Sequence, residues 1–259
     1  MTLSTTVTEA AKKAGARLLA VHSPDARPAG RADMYTAVRR NDTVALDGLR
    51  AELAAARPGA GWVEEDQETT GLPPGEWWAV DAVEGNVNHV HGLAEWAVSV
   101  TLLRDGAPVL AVVHQPIGDL TYTAAHGEGA WRDGVRLHVS AKRDLDAAIV
   151  TTGQAEPGQA GTYRRIGESV TAMLGRALAV RMSVPSTFPM LLLANGQNDV
   201  FWQYGPVLSG TAAGMLLATE AGGIATRIDG SPWRPGSPDV LVAAPALHEA
   251  AVTVLSTVD

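Results

Sequence analysis

The stretch WAVDAVEGNVNHVHG, residues Trp78–Gly92, decides the fold of this 259-residue chain, because it joins a short apolar run to a cluster of polar groups. Residues 77–82 have the length and composition of a buried strand. Asp81 follows the apolar residues directly, and Glu84 comes three residues later. Since burying an unpaired carboxylate is costly, we expect these acids at the edge of a sheet or in a cleft.

A second acidic group, Glu64-Glu65-Asp66, lies about seventeen residues upstream of Asp81, in the stretch GWVEEDQETTG. Carboxylates gathered at the ends of strands suit hard cations such as Mg²⁺, which bind few protein ligands and keep water or phosphate in the other positions. An acidic loop on a solvated surface has the same composition. The pattern alone therefore leaves both a metal site and an exposed loop open.

The rest of the chain alternates predicted helices and strands, which is typical of a layered α/β protein. In the first half we predict a helix over 7–21, a loop over 22–33, a helix over 44–56 and an antiparallel sheet of strands 77–82, 97–104, 108–114, 120–125 and 130–139. In the second half we predict strands 148–152, 177–182 and 240–244 between helices 162–174, 187–195, 211–221 and 246–255. No repeat or linker divides the chain, so we predict one domain over residues 1–259, with lobes 1–142 and 143–259.

Composition excludes several classes of protein. The formal net charge is −8 and no run of Lys or Arg occurs, which argues against a surface for nucleic acid or anionic membranes. Cysteine is absent, which excludes disulfides, thiolate nucleophiles and thiolate metal sites. The N-terminus has neither the pattern of a signal peptide nor a span long enough to cross a bilayer. We therefore expect a cytoplasmic protein that acts on a small molecule.

Five motifs, in order, resemble those of the inositol monophosphatase-like phosphatases, within the wider Mg²⁺-dependent, lithium-sensitive phosphatase superfamily. WVEED resembles the family's Gly-Glu-Glu segment, and WAVDAVEGNVNHVHG resembles its Trp-x-x-Asp-Pro-Ile-Asp-Gly-Thr signature. AVSVTLLRDGAPVLAVVHQPIGDLTYTAAHGEGAWRDGVRLHVS is similar to its central sheet. LLLANGQNDVFW and GTAAGMLLATEAGG are similar to a small-residue helix with its following strand and to the C-terminal helix. The resemblance covers nearly the whole chain and implies an α/β fold of alternating α-β-α-β-α layers, usually a homodimer.

The resemblance also implies a metal cradle. In it, Glu64, Asp81, the backbone carbonyl of Val83 and the acid at Glu84 would hold two or three Mg²⁺ that bind phosphate and activate water. Glu84 departs from the family pattern, which has Asp there, and the extra methylene moves the carboxylate. The family's last ligand, the Asp of a Trp-Asp pair, falls on Gly210. The sequence therefore predicts no certain cofactor and at most one weakly bound Mg²⁺, on Glu64 and Asp81.

Further departures affect the groups that orient water and substrate in the family. The Thr after Asp-Gly is Asn86 here, and the Asp that pairs with it falls on Arg39 of TAVRRND. The Glu that often contacts substrate hydroxyls falls on Gln203. His89 replaces a customary aromatic residue; it could act as an acid or base because histidine titrates near neutral pH, or it could simply be packed. These departures predict that ordinary two-metal hydrolysis of phosphomonoesters is badly impaired.

Our leading hypothesis is a family member repurposed for acid–base catalysis, as an isomerase, cyclase or lyase, on a small molecule of a specialised biosynthetic pathway. Its predicted catalytic residues are Glu64, Asp81, Glu84, His89 and Arg39. Its predicted substrate-binding residues are Asn86, Glu65, Trp202, Gln203 and Tyr204, and core packing is the alternative for the two aromatic residues. The competing hypotheses are a Mg²⁺-dependent phosphatase of inositol, sugar or nucleotide phosphates with an altered metal site, and a non-catalytic dimeric binding protein.

Overall fold

A computed structural model of the chain describes residues 2–64, 67–68, 70–155 and 158–258 and contains two β-sheets. The seven strands of the first sheet follow chain order: β1 (Gly61–Trp62), β2 (Glu76–Glu84), β3 (Ala97–Arg104), β4 (Ala107–Gln115), β5 (Leu120–Ala125), β6 (Gly129–Arg132) and β7 (Val135–Arg136). The second sheet contains β8 (Ile149–Thr152), β9 (Ala179–Met182), β10 (Val200–Tyr204), β11 (Ile224–Thr226) and β12 (Asp239–Ala243), in the spatial order β11-β12-β10-β8-β9. The predicted boundary between residues 142 and 143 falls between the two sheets.

Helices form three layers around these sheets. The outer layer on the first sheet contains α1 (Leu3–Val21), α2 (Arg31–Leu46) and α3 (Leu49–Ala56), and the short helix α4 (Asn86–Val90) follows β2 directly. The middle layer contains α6 (Thr187–Ala194) and α7 (Leu208–Glu220), and the layer on the second sheet contains α5 (Ala160–Leu174) and α8 (Pro245–Leu255). This arrangement confirms the predicted α-β-α-β-α layering. Within the described ranges, no helix has the length and apolar character needed to cross a bilayer.

The central strands of the first sheet are buried on both faces because helices cover both. Val98, Val100 and Val112 belong to the core beneath α1 and α3. Ala111 and Val113 point the other way, into the core beneath α6 and α7. A strand covered on both faces is largely apolar instead of alternating, which made β3 and β4 easy to predict, although Ser99 and Thr101 of β3 are buried polar residues.

Four of the five predicted strands of the first sheet are confirmed, and the fifth, 130–139, is divided into β6 and β7 by a turn at Asp133-Gly134. Two predictions around α2 are wrong. The loop predicted over 22–33 ends early, since α2 begins at Arg31. The helix predicted over 44–56 is divided, because α2 ends at Leu46 and Gly48, with φ +76°, precedes α3. Only Asn41 and Ala45 of α2 are buried. A helix without an apolar stripe gives no periodic signal, so the pattern could not reveal it.

Candidate active site

A bulge at the end of β2 brings Asp81 and Glu84 together. Asp81 lies opposite Ser99 and Glu84 opposite Ala97, so three steps along β2 match two steps along β3. Residues three apart in a regular strand face opposite sides of a sheet, and the extra residue turns both carboxyls to the same side. Both acids line the same cleft, and Asp81 Oδ1 accepts the Val83 N–H at 3.0 Å.

Glu84 is a buried acid that fills the space beside Gly210. Only 2% of it is exposed, and its Oε1 accepts the N–H of Thr187, the first residue of α6, at 3.1 Å. Burial, together with the charge of Asp81, raises the pKa of the Glu84 carboxyl well above its usual value. A Cβ built on Gly210 would lie 3.4 Å from Glu84 Oε2. The Glu84 side chain thus extends toward Gly210, which has no side chain of its own.

Helix α2 places a third carboxyl, Asp42, at the same cleft. Asn86 donates a hydrogen bond from Nδ2 to Asp42 Oδ1 at 2.8 Å and accepts one from Asn41 Nδ2 at Oδ1, also at 2.8 Å. Burial raises the pKa of Asp42, and the charge of Asp81 raises it further. The partner of Asn86 is therefore an acid.

The predicted pairing of Asn86 with Arg39 is wrong. Arg39 is exposed, and its guanidinium donates to Thr36 Oγ1 at 3.4 Å. Asp42, three residues later along α2, is the residue that lines the cleft and accepts the Asn86 hydrogen bond. The acid that pairs with Asn86 therefore lies three residues beyond the position that the motif indicated.

The structure does not bring His89 to the cleft. Its ring is buried among His22 and Trp96, with ring centroids 5.0 and 4.6 Å away. Asn41 Nδ2 lies 2.9 Å from its Nδ1, and the Leu18 carbonyl lies 3.2 Å from its Nε2. The amide nitrogen can only donate and the carbonyl can only accept, so the ring is a neutral Nε2–H tautomer. Burial lowers the pKa of His89, which favours this neutral form. Through the two contacts, His89 holds α1 and α2 against α4.

Glu64 also lies away from Asp81 and Glu84. Its side chain is 58% exposed and forms an ion pair with Arg50 at 2.7 Å, and Arg50 stacks over Trp62 at 4.7 Å. The neighbouring prediction, Glu65, lies outside the described residues.

The three residues predicted on β10 have different roles. Gln203 lines the cleft and accepts a hydrogen bond from Ser186 at 2.5 Å. Trp202 is fully buried in the core of the second sheet, and its indole N–H donates to Ser169 at 2.9 Å. Tyr204 is buried in the same core, under the guanidinium of Arg165 at 4.4 Å. Alternation along a strand explains this, because Gln203 faces the opposite side from its two neighbours.

Together these elements enclose a cleft of about 540 Å³. It lies between α2, the bulge of β2, and the start of α6 and α7. The predicted residues that line it are Asp81, Val83, Glu84, Asn86, Gln203 and Gly210. The lining residues that sequence reasoning missed include Met34, Tyr35, Asp42 and Ser186. Met34 and Tyr35 lie in the first half of α2, where the sequence pattern predicts a loop or no regular element.

The described residues do not fit the two-metal cradle that the family resemblance implies. Within those ranges, no three His, Asp or Glu side chains lie close enough together to hold a metal ion. Glu64 is engaged by Arg50, and Glu84 is engaged by the Thr187 N–H. A hard divalent cation needs several deprotonated oxygen ligands. Burial raises the pKa of the Glu84 carboxyl, which makes it a weaker ligand because a cation binds the deprotonated form.

Comparison with known proteins places this arrangement in context. The model of the inositol monophosphatase family matches residues 2–259. The chain is 35% identical over 192 residues to an inositol-1-monophosphatase of Rhizobium meliloti (strain 1021), which covers 73% of this chain and 72% of that protein. It is 33% identical over 168 residues to the Nus factor SuhB of Escherichia coli (strain K12), covering 64% and 62% respectively.

Solved structures have the same fold. The extragenic suppressor protein suhB from Bartonella henselae superimposes with a TM-score of 0.82 at 27% identity, over 98% of both chains. An inositol monophosphatase from Anabaena (Nostoc) sp. PCC 7120 superimposes with a TM-score of 0.81 at 24% identity, over 99% of this chain and 96% of that one. These likenesses extend over the whole layered body, including both sheets.

Proposed function

This chain belongs to the inositol monophosphatase family, and from that premise we propose that its cleft is an active site that moves protons on a small molecule and does not hydrolyse phosphomonoesters by two-metal chemistry. One observation supports the proposal: Asp81 and Glu84 line the same cleft, and Glu84 is held by the Thr187 N–H beside Gly210. Burial, together with the charge of Asp81, raises the pKa of the Glu84 carboxyl. Two neighbouring carboxyls whose environments differ in this way are suited to general acid–base catalysis.

The two carboxyls have different positions and would have different roles. Asp81 is half-buried and lines the cleft, so it is the group that meets the substrate and accepts its proton. Glu84 is more deeply buried than Asp81 and, when protonated, would stabilise the charge of Asp81. Asn86 and Gln203 orient the substrate through their amides. Taking a proton from one substrate atom and returning it to another yields an isomer, and loss of a leaving group yields a cyclisation or elimination product of the kind made in specialised biosynthesis.

A Mg²⁺-dependent phosphomonoesterase is the second candidate, and one observation favours it. Asp42 accepts a hydrogen bond from Asn86 at 2.8 Å, so the carboxylate partner of the water-orienting position is present. The relative from Rhizobium meliloti is also called an inositol-1-monophosphatase. Asp81, Glu84 and the Val83 carbonyl would hold the cation in this case, and the cation would bind phosphate and activate water. Glu84 would then have to bind the cation in its deprotonated form.

Phosphate release from a panel of inositol, sugar and nucleotide monophosphates in 10 mM Mg²⁺, a concentration on the order of that used for such enzymes, separates these candidates. Ordinary enzymes turn over at about 10 s⁻¹, and we expect a rate below roughly one thousandth of that. Asp81→Asn removes a carboxylate that the phosphatase candidate requires, and Glu64→Gln, at an exposed acid that does not line the cleft, is the matched control. Turnover at ordinary rates that Asp81→Asn reduces would show that the phosphatase candidate is right and the proton-transfer proposal wrong.

We also propose that the protein works in the cytoplasm as a homodimer and binds neither nucleic acid nor membranes. The formal net charge of −8 supports the absence of polyanionic partners. The homodimer rests on family analogy, and size-exclusion chromatography with light scattering tests it. A non-catalytic binding protein remains the third prediction; it would require that Asp81→Asn leave the biological activity intact.

A further inference from the structure

The cleft contains acids but no cation of its own. Asp42, Asp81 and Glu84 all line it, and among the described lining residues there is no Lys or Arg. Their partners within the protein are neutral: an Asn86 amide for Asp42, the Val83 N–H for Asp81 and the Thr187 N–H for Glu84. The protein therefore leaves the negative potential of this cleft uncompensated.

Two other carboxylates that leave the solvent are paired with cations. Asp199 is fully buried and binds Lys142 Nζ at 2.7 Å. Glu76, with 20% of its side chain exposed, binds Arg57 at 2.6 Å. Pairing of this kind offsets the cost of removing a charge from water. Unlike these two sites, the cleft has no Lys or Arg among its described lining residues, so a positive charge there would come from a group outside the chain.

A second feature of the cleft points to a ligand independently of the acids. Gln203 is only 6% exposed, and its Oε1 accepts the Ser186 hydroxyl. A Cβ on Gly153 would lie 2.6 Å from this same Oε1, so glycine there leaves space for the amide. Within the described residues, the Nε2 of Gln203 has no hydrogen-bond partner. Gln203 lines the cleft, so this amide N–H is available to donate to a ligand bound there.

Given the active site proposed above, on which this step depends, we propose that the cleft binds a substrate with a protonated amine facing Asp42 and Asp81 and a hydroxyl or carbonyl oxygen facing Gln203. Amino alcohols and amino sugars have this chemistry. A phosphate ester would bring two negative charges against three acids.

Three probes with the same six-membered ring test this assignment: trans-2-aminocyclohexanol, trans-cyclohexane-1,2-diol and the monophosphate ester of that diol. Each is titrated by calorimetry against the intact protein at about pH 7 in EDTA, where the amine is protonated. We expect the amine to bind at least about tenfold more tightly than the diol, and the ester to give no measurable heat.

Asp42→Asn is the diagnostic variant, because an amide at this position still accepts the Asn86 hydrogen bond. It should reduce the preference for the amine over the diol by about fivefold, as expected for loss of one exposed ion pair. Asp47→Asn, an exposed acid just beyond the end of α2, is the matched control and should leave the preference unchanged. Thermal melts of both variants establish that they fold.

Two outcomes would overturn the assignment: metal-free binding of the phosphate ester as tight as that of the amine, or equal losses for Asp42→Asn and Asp47→Asn. Failure of the proposed function looks different. Phosphatase turnover in Mg²⁺ together with metal-free preference for the amine would remove the proton-transfer proposal and keep the charge preference. A proton-transfer activity on neutral or anionic substrates, with no preference for the amine, would keep the proton-transfer proposal and remove the charge preference.

Discussion

Strand β2 begins and ends with glutamate, and the two ends of the strand treat that residue in opposite ways. Glu76 accepts hydrogen bonds from Arg57 at 2.6 and 2.8 Å and from Arg104 at 2.9 and 3.0 Å. The hydrogen bonds from Arg57 are the main reason that its pKa falls to about 2. Glu84, eight residues later, has no cation and a raised pKa. One end is a closed ion cluster, and the other is an acid open to a cleft.

This contrast separates structural from chemical use of the same side chain. At the Glu76 end both arginines are satisfied and the strand is anchored to β3 and to the end of α3. At the Glu84 end the pKa of the carboxyl is raised, and the described residues that line the cleft include no Lys or Arg. An acid with a perturbed pKa in a cleft is a candidate functional group. The four predictions below test that the two ends differ in this way.

The largest effect should come from a carboxylate at position 210. Gly210→Asp would place a second acid within contact distance of Glu84 Oε2, since even the Cβ would lie 3.4 Å away. We expect a loss of about 3 kcal/mol in the free energy of unfolding at neutral pH, as for other uncompensated buried charges. Urea denaturation in EDTA measures it.

Gly210→Ala is the control for that substitution. A Cβ at 3.4 Å is in ordinary contact, and alanine favours a helix by up to about 1 kcal/mol over glycine, so this variant should be neutral or slightly stabilised. Adding Glu84→Gln to Gly210→Asp should recover most of the loss. If Gly210→Asp is as stable as the wild type without metal, Glu84 does not occupy that space and the contrast between the two ends is weaker than proposed.

The second prediction tests whether hydrogen bonds from amides, and not ion pairs, stabilise the structure at the Glu84 end of β2. Asn41 is buried and donates to both Asn86 and His89. Asn41→Ala leaves two acceptors without a donor, and we expect a loss of about 2 kcal/mol in unfolding free energy that changes little between 0.1 and about 1 M NaCl. Thr43→Ala, an exposed site on the same helix, should stay within about 0.5 kcal/mol. A strongly salt-dependent loss would mean that an ion pair, and not the amide, stabilises this end.

At the other end of β2, Glu76→Gln should cost about 1 kcal/mol at pH 7, because the cluster is partly exposed. Its folded pKa, about 2, lies below the ordinary value of 4.5. The stability that Glu76 contributes is therefore complete above pH 4.5 and is lost as the pH falls toward 2. Urea midpoints of the variant and the wild type should converge over that window, and 1 M NaCl should reduce the difference at pH 7. A constant difference from pH 7 to pH 3 would contradict the assignment.

The sequence was sufficient for the layers and for part of the cleft. The strand that ends in Asp81 and Glu84 could be recognised from its apolar run followed by acids, and both acids lie where the pattern predicted. Asp42 could not be found, because a largely exposed helix carries no apolar period. The orientation of the Glu64 side chain depends on its ion pair with Arg50, fourteen residues earlier. The placement of Asp81 and Glu84 on the same side of β2 depends on the register of that strand with β3. Contacts of this kind are set by the tertiary structure, and local patterns do not encode them.

Glu84→Gln should have the smallest effect and the opposite dependence on pH from Glu76→Gln. A protonated carboxyl and an amide have similar shape, so Gln at this position can donate to Asp81 and accept the Thr187 N–H; at pH 5 we expect a change within about 1 kcal/mol. Because burial raises the folded pKa of Glu84, the wild type loses stability as the pH rises above the ordinary glutamate value toward that raised pKa, and the amide does not titrate. The urea midpoint of Glu84→Gln should therefore rise relative to that of the wild type between pH 5 and pH 8. Glu84→Leu, which cannot donate to Asp81, is the control and should be less stable than the wild type at both pH values. A variant that instead becomes steadily less stable than the wild type as the pH rises would mean that Glu84 is ionised, and the two ends of β2 would then hold the same kind of carboxylate.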